Sequence, residues 1–449
     1  MVRTVAAITL GCKLNYAESS AILDGLCRKG WQLSSPEEGA DLLIIHTCAV
    51  TRLAEKKCRQ RIRAIIRSNP RSRIAVIGCY AQLGADALSC IEGVDAILGS
   101  NDKFEAINYE TIFSDSRPHP FIKVTPSDAL DEVFPGYSLS AESGCNRTRA
   151  FLKVQDGCDY GCSYCTIPAI RGRSRSLPLE TLLDRARQLA ASGYREIVLT
   201  GVNTGDYSHG GRGLCDLLRG LEGVEVNRIR ISSIEPDIVD SELISLIAAS
   251  AKIVPHLHIP LQSGSDAILG SMRRRYDLSL YRSRIEHAVN SITDCSIGAD
   301  VMVGYPGETE EDFLGICRFI EELPLAYLHV FSCSVRPGTV LSEQVARRER
   351  TPVAPAEIAR RSRELSELGR RKEGLFNSRY IGREAMVLFE ERSPEEDSQQ
   401  QSGYTRNYLR VAVDMAGASG EVDLRGEELP VVIERMGDDL ILHGRLLSW

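Results

Sequence analysis

No stretch of this 449-residue chain approaches the roughly 20 consecutive apolar residues that a membrane-spanning helix needs. A helical membrane protein is excluded on that ground. The opening residues, MVRTVAAITLGC, carry one Arg and a very short apolar run. They suit a first β-strand better than a lipoprotein leader ending at Cys12. The expected location is the cytoplasm, a reducing compartment where disulfides are rare. Net positive charge is also missing: the formal charge is −7, so this is no RNA-coating polycation. No internal repeat is visible, and low complexity is confined to EEDSQQQS. Lysine is absent from residues 376–449, which hold eight Arg against fourteen Asp or Glu.

Positive charge is concentrated elsewhere. Residues 52–73, RLAEKKCRQRIRAIIRSNPRSR, contain one acid, Glu55, and residues 347–372 are Arg-rich. Such clustering suits a polyanion held against selected faces. Hydrophobic residues at 43% and charged residues at 26% are ordinary for a globular protein, and the length predicts about three domains.

The periodicity divides the chain accordingly. TVAAITLGC, DLLIIHTC, SRIAVIGCY and VDAILGS read as strands alternating with helices, which predicts a parallel α/β domain over 1–125. Residues 126–144 read as a linker. Over 145–375, the strands AFLKVQ, REIVLTG, NRIRISSIEP, HLHIPLQ, SIGADVMVGYP and AYLHVFSCSV alternate with helices. This predicts a (β/α)6 partial barrel with its chemistry at the C-terminal strand ends. Residues 376–449, with EAMVLFEE, YLRVAVD and LPVVIERM, predict a small β-barrel.

Fourteen cysteines are many for such a compartment, so metal ligands, redox groups or core residues are expected. Cys58 shares a helical stripe with Ile62 and Ile65, Cys27 with Ile22 and Leu26, and Cys317 with Phe313 and Ile320. These read as core, as do Cys90, Cys215 and Cys295. Cys145 and Cys333 have no assigned role. Cys12, Cys48 and Cys79 each end a predicted strand, and strand ends of a parallel sheet converge on one crevice. QDGCDYGCSYCTIP places Cys158, Cys162 and Cys165 in a C-x3-C-x2-C pattern. Structural zinc usually shows a second Cys pair or a His pair, and none follows Cys165. Three thiolates can hold three irons of a [4Fe–4S] cluster and leave the fourth open to a ligand.

The stretches TLGCKLN, HTCAVT, GCYAQ, QDGCDYGCSYCTIPAIRGRSRS, HIPLQSGS, MVGYPGET and RPGT resemble, nearly end to end, the radical S-adenosylmethionine (SAM) methylthiotransferases. The tail with GYTRNYLRV looks like a TRAM domain, a small RNA-binding barrel. Within the family, GCKLN resembles the MtaB type, which acts on tRNA. Relatives acting on isopentenyladenosine usually carry a GCQMN-like stretch, and those acting on a ribosomal-protein aspartate carry GCPKN. The resemblance implies two [4Fe–4S] clusters, one on Cys158, Cys162 and Cys165 that binds SAM. The second, on Cys12, Cys48 and Cys79, carries the sulfur. It further implies methylthiolation at C2 of N6-threonylcarbamoyladenosine next to the anticodon, with SAM as radical source and methyl donor. An electron donor and a sulfur source are implied but not identified. Two other readings stand beside it: methylthiolation of isopentenyladenosine or of an aspartate, and a non-enzymatic zinc-containing RNA-binding protein.

SAM contacts are expected from Tyr164, from Gly201 and Asn203 in TGVNTG, from Glu235 in SSIEP and from Gln262 in PLQSGS. RNA contacts are expected from Arg171, Arg173 and Arg175 and from Arg273, Arg274 and Arg275. Tyr404, Arg406 and Tyr408 interleave aromatic and basic groups suited to unpaired bases. The tail is acidic, so the 52–73 helix and the Arg-rich helix are expected to supply most phosphate contacts. His256 and His258 share one strand face and read as core or supporting groups. The N-terminal crevice is expected to cap the barrel mouth.

Overall fold

A computed structural model describes residues 2–49, 52–113, 120–139, 148–390, 400–415 and 423–447. Cys145 and the end of the predicted linker lie outside them. Among the described residues no helix is long and apolar enough to cross a membrane.

The first unit is a six-stranded parallel sheet. Its strands are β1 (Thr4–Thr9), β2 (Gln32–Leu33), β3 (Leu42–Thr47), β4 (Arg73–Gly78), β5 (Ala96–Leu98) and β6 (Phe121–Lys123), in the order β2-β1-β3-β4-β5-β6. β3 is buried at every position, as a central strand covered on both faces requires. Helices α1 (Lys13–Cys27), α2 (Arg52–Ser68) and α3 (Cys79–Leu83) intervene. α2 lays Cys58, Ile62 and Ile65 into the core and turns Lys56, Lys57, Arg61, Arg63 and Arg67 to solvent.

Six parallel strands form the second unit: β7 (Arg149–Lys153), β8 (Glu196–Thr200), β9 (Arg228–Ile231), β10 (His256–His258), β11 (Ser296–Val303) and β12 (Tyr327–Ser332). They make two three-stranded sheets joined by bridges at Ile229–Ile253 and Ser233–His258, hence a partial barrel. The outer helices seat Leu182, Leu217, Ile244, Ile285, Phe313 and Ile320 on the strands in one continuous core. The third unit is a closed barrel of β13 (Glu384–Phe389), β14 (Gln400–Thr405), β15 (Arg410–Asp414), β16 (Glu428–Met436) and β17 (Leu442–Leu446). Val387, Phe389, Val411, Val431, Ile433 and Leu442 fill it.

One expectation fails here. Cys90 is exposed, because it follows a short helix, Ala85–Ser89, on the solvent side. The Arg-rich helix, Pro355–Ser378, ties part of its charge to neighbouring carboxylates. Arg360 pairs with Glu310 at 2.6 Å and Glu364 at 2.9 Å, and Arg361 with the buried Glu308 at 2.7 Å. It fastens itself to the barrel and offers fewer cations to phosphates than its composition suggests.

A buried ionic hub joins the first two units. Glu18 of α1 is fully buried, and its carboxylate accepts from Lys103 at 2.7 Å, Lys153 at 2.8 Å and Arg171 at 2.9 Å. Asp156 accepts from Lys153 at 2.6 Å and Arg171 at 3.0 Å. Burial alone would raise the Glu18 carboxyl, but Arg171, Lys103 and Lys153 hold it well below the ordinary range. Glu18→Ala would leave three buried cations short of a counter-charge. The expected cost is about 3–5 kcal/mol, read as a lower denaturant midpoint of the full chain.

Candidate functional site

β1, β3 and β4 are neighbours, with Thr9 opposite His46 and His46 opposite Ile77. Cys12 precedes α1, Cys48 follows β3 and Cys79 opens α3, so the three leave one edge of the sheet together. Two glycines permit this. Gly78 has φ +95°, and a Cβ there would fall 2.3 Å from His46 Cδ2. A Cβ on Gly11 would fall 2.6 Å from Asn15 Nδ2 and 3.3 Å from Cys48 Cβ. Cys12 is accessible to solvent, yet the protein around it pushes its thiol up, against the opposing pull of Arg171.

The local triad lies on the loop before α4 (Ile167–Arg171). Backbone N–H groups of Tyr160 and Ile167 point at the sulfurs of Cys158 and Cys165, each at 3.4 Å. Burial, and then the neighbouring thiols, push Cys158 up to about 11 and Cys165 to about 12. Arg274 donates to Cys162 Sγ at 3.3 Å and pairs with Glu235 on its other edge. The loop then carries Arg171 into the first unit, where its Nη2 lies 3.7 Å from Cys79 Sγ. Ser100 Oγ donates to the Ile170 carbonyl at 2.8 Å. α4 therefore lies between the two cysteine groups.

The donor chemistry suits clusters better than single ions. One tetrahedral zinc, at about 2.3 Å per sulfur, needs its sulfurs within about 4 Å of one another. Among the described residues, the three-ligand group gathered within 4.8 Å is His258, Asp300 and His329, and neither cysteine triad is drawn in so far. An iron–sulfur cube spreads its cysteine ligands more widely. The His–Asp group is already satisfied internally: Asp300 Oδ1 lies 2.9 Å from His258 Nε2 and 3.3 Å from His329 Nδ1.

Of the expected SAM residues, Gly201 and Asn203 are tied to the cysteine loop through Gln155, and Glu235 through Arg274. Asn203 is 4% exposed, and neither its Oδ1 nor its Nδ2 has a partner among the described residues. Buried side-chain amides are seldom left so, and a polar ligand would meet both. Gln155 ties this turn to the cysteine loop. Its Oε1 accepts from Val202 N at 3.1 Å and Asn203 N at 2.9 Å, and its Nε2 donates to Gly157 O at 2.8 Å. Gly201 packs on the same side chain, with its Cβ position 3.1 Å from Gln155 Oε1. Gln262 adopts φ +62°, a strained conformation for a residue with a side chain, just past β10. Glu235 is held by Arg274. Tyr164 packs with Met272, Tyr305 and Leu341, beside Cys333.

The expected RNA residues fare differently. Arg171 is 2% exposed and Arg274 is similarly covered, so neither reaches a phosphate. Their guanidiniums are committed to Glu18, Asp156 and Glu235. Arg175 donates to the carbonyls of Leu130 at 2.8 Å and Arg171 at 3.0 Å, while Arg173 stays exposed. Tyr404, Arg406 and Tyr408 lie at the seam between the closed barrel and the partial barrel. Arg228 donates to the Tyr404 carbonyl at 2.8 Å, Arg230 to that of Arg406 at 3.2 Å, and Arg406 to that of Ala251. Tyr404 and Tyr408 stack at 4.7 Å. Sequence reasoning saw basic and aromatic residues there and could not see that a second barrel faces them. It also gave no role to Gln155, Lys13 or Arg230.

The model of the radical SAM superfamily matches residues 152–320, and that of the uncharacterized protein family UPF0004 matches residues 4–99. The chain is 36% identical to the threonylcarbamoyladenosine tRNA methylthiotransferase MtaB of Bacillus subtilis (strain 168), over 97% of this chain and 94% of that protein. The chain belongs to the radical SAM methylthiotransferases. The MtaB protein of Thermotoga maritima is 34% identical over 87% of both chains. The tRNA-2-methylthio-N(6)-dimethylallyladenosine synthase of Cereibacter sphaeroides is 32% identical over 85% of this chain. Among solved structures, the radical SAM methyltransferase TsrM of Kitasatospora setae aligns with a TM-score of 0.59 over 78% of each chain at 15% identity, a likeness of fold. Radical SAM methylthiotransferases use SAM and iron–sulfur chemistry, and the cysteine loop, with the orphaned Asn203 amide behind it, suits both.

Proposed function

We propose that this protein transfers a methylthio group to C2 of N6-threonylcarbamoyladenosine, next to the anticodon in tRNA. The observation that carries the reading is the end-to-end identity with MtaB proteins, which spans both cysteine groups. Cys158, Cys162 and Cys165 would hold the SAM-binding [4Fe–4S] cluster. Cys12, Cys48 and Cys79 would hold the second, and the donor set of each triad suits an open cluster corner. When bound, the clusters and SAM supply the radical, the sulfur and the methyl group that no side chain here provides.

The chain's own residues place and shield these groups. Gln155 holds the TGVNTG turn against the cysteine loop, so Gly201 and the unpaired amide of Asn203 face the SAM site. Burial pushes the Cys162 thiol up, and Arg274, clamped by Glu235, opposes that rise with a fixed positive charge beside Sγ. Arg171 lies 3.7 Å from Cys79 Sγ through its Nη2 while fastening the two units. The hub keeps them from sliding, as a reaction across two centres requires. The exposed face of α2, with Lys56, Lys57, Arg61, Arg63 and Arg67, suits the tRNA backbone.

Mass spectrometry of tRNA nucleosides from a deletion strain tests the substrate. The 2-methylthio mark on threonylcarbamoyladenosine should vanish and return with the gene. If that mark persists and the one on isopentenyladenosine is lost instead, isopentenyladenosine in tRNA is the substrate.

A further inference from the structure

The ring of Tyr408 stands among three cationic groups. Arg230 Cζ lies 4.7 Å from its centroid, Arg149 Cζ 5.6 Å and Lys13 Nζ 6.0 Å. The residues come from all three units: Lys13 opens α1, Arg149 and Arg230 belong to β7 and β9, and Tyr408 sits between β14 and β15. Two of the cations are matched. Arg149 Nε pairs with Glu390 at 2.6 Å and Arg230 Nε with Glu196 at 2.7 Å. Lys13 is solvent-accessible and makes no hydrogen bond or ion pair among the described residues. The site therefore holds a surplus positive charge.

Unused donors accompany it. Arg230 is 1% exposed, yet its Nη1 has no partner. His256 is 5% exposed, with its Nδ1 unpartnered and its ring 4.8 Å from Tyr408. A buried polar atom of this kind is normally met by water or a ligand. Burial would raise the Tyr408 hydroxyl, but Arg149, Lys13 and Arg230 hold it below its ordinary value, which registers the positive potential. Tyr408 also adopts φ +74°, a costly conformation for an aromatic residue, pinned by its N–H to the Thr405 carbonyl at 3.1 Å. Strain kept at such a place fixes the ring between the units.

We propose that Lys13, Arg230 and Tyr408 form the receptor for the carboxylate of the substrate's N6 substituent, and so select an anionic modified adenosine over an apolar one. This rests on the reaction proposed above. Lys13 directly follows Cys12, so the receptor and the N-terminal cysteine group share the start of α1. A monoanion neutralises the surplus charge and accepts from the unused donors. An apolar substituent leaves both unmet, and specificity built on unpaired polar groups is strong.

The test uses the full chain, reconstituted anaerobically, and two anticodon stem-loop RNAs. One carries threonylcarbamoyladenosine, and in the other the threonyl carboxylate is converted to the carboxamide. The wild type should prefer the carboxylate by about 10–100-fold in kcat/KM, the worth of one charge-assisted hydrogen bond. Lys13→Gln should reduce that preference to about 1 through KM, while Lys13→Arg retains it. Iron content of Lys13→Gln should match the wild type, which separates a lost receptor from a lost cluster. If Lys13→Gln loses iron, Lys13→Met repeats the comparison. Product on the carboxylate RNA without preference over the carboxamide, or a preference that survives Lys13→Gln, overturns the receptor and leaves the reaction standing. No product on either RNA, with product on an isopentenyladenosine RNA, overturns both.

Discussion

Replacing Cys162 with Ala should abolish SAM cleavage. The side chain is one of three thiols on a single loop, and its sulfur accepts from Arg274 at 3.3 Å. Losing it leaves two ligands for that cluster and strands the Arg274 charge against Glu235 alone. With the two clusters proposed above, the one on this loop should then be lost, and iron should fall from about eight atoms per chain to about four. Formation of 5′-deoxyadenosine, measured by chromatography and mass spectrometry, should drop to background. Cys162 is only partly buried and outside the main core clusters, so the thermal midpoint of the apo chain should stay near that of the wild type. SAM cleavage at the wild-type rate by Cys162→Ala would remove the loop from the chemistry.

Cys48→Ala should separate the two halves of the reaction. Cys48 follows β3 in the N-terminal sheet, close to Gly11, and does not belong to the α4 loop. Its backbone carbonyl, which accepts from Cys58 Sγ at 3.5 Å, survives the substitution. Iron should again fall to about four atoms per chain. Here 5′-deoxyadenosine should still form, while the methylthio product disappears. Equal iron loss with opposite effects on SAM cleavage is what two separate clusters predict. Full product formation by Cys48→Ala, or iron unchanged at about eight, would sink the second cluster.

The architecture was largely legible because it rests on periodic burial. The apolar run LLII, continued by His46 and Thr47, read as a covered strand, and LLIIHT is buried at every position. Cys58, Ile62 and Ile65 mark the inner stripe of α2, which leaves its lysines and arginines outward. Strand ends followed from strands, and so did the shared edge on which Cys12, Cys48 and Cys79 stand. Charge was less legible. Arg171, Arg274 and Arg406 looked like phosphate contacts, since a guanidinium reads the same in sequence whether it meets RNA, a buried carboxylate or a carbonyl. Arg360 and Arg361 misled in the same way, because their partners Glu308 and Glu310 lie on another helix and its approach.

By itself the sequence determined the three units and the local cysteine loop, since these depend on spacing and on apolar pattern, and its motifs carried the resemblance to the family. The tertiary structure alone decided that α4 lies between those groups, that Glu18 gathers three cations from distant segments, and that Tyr408 closes on Lys13, Arg149 and Arg230. Pairing between remote charges is set by how the units dock, and docking leaves no period in the chain from which it could be read.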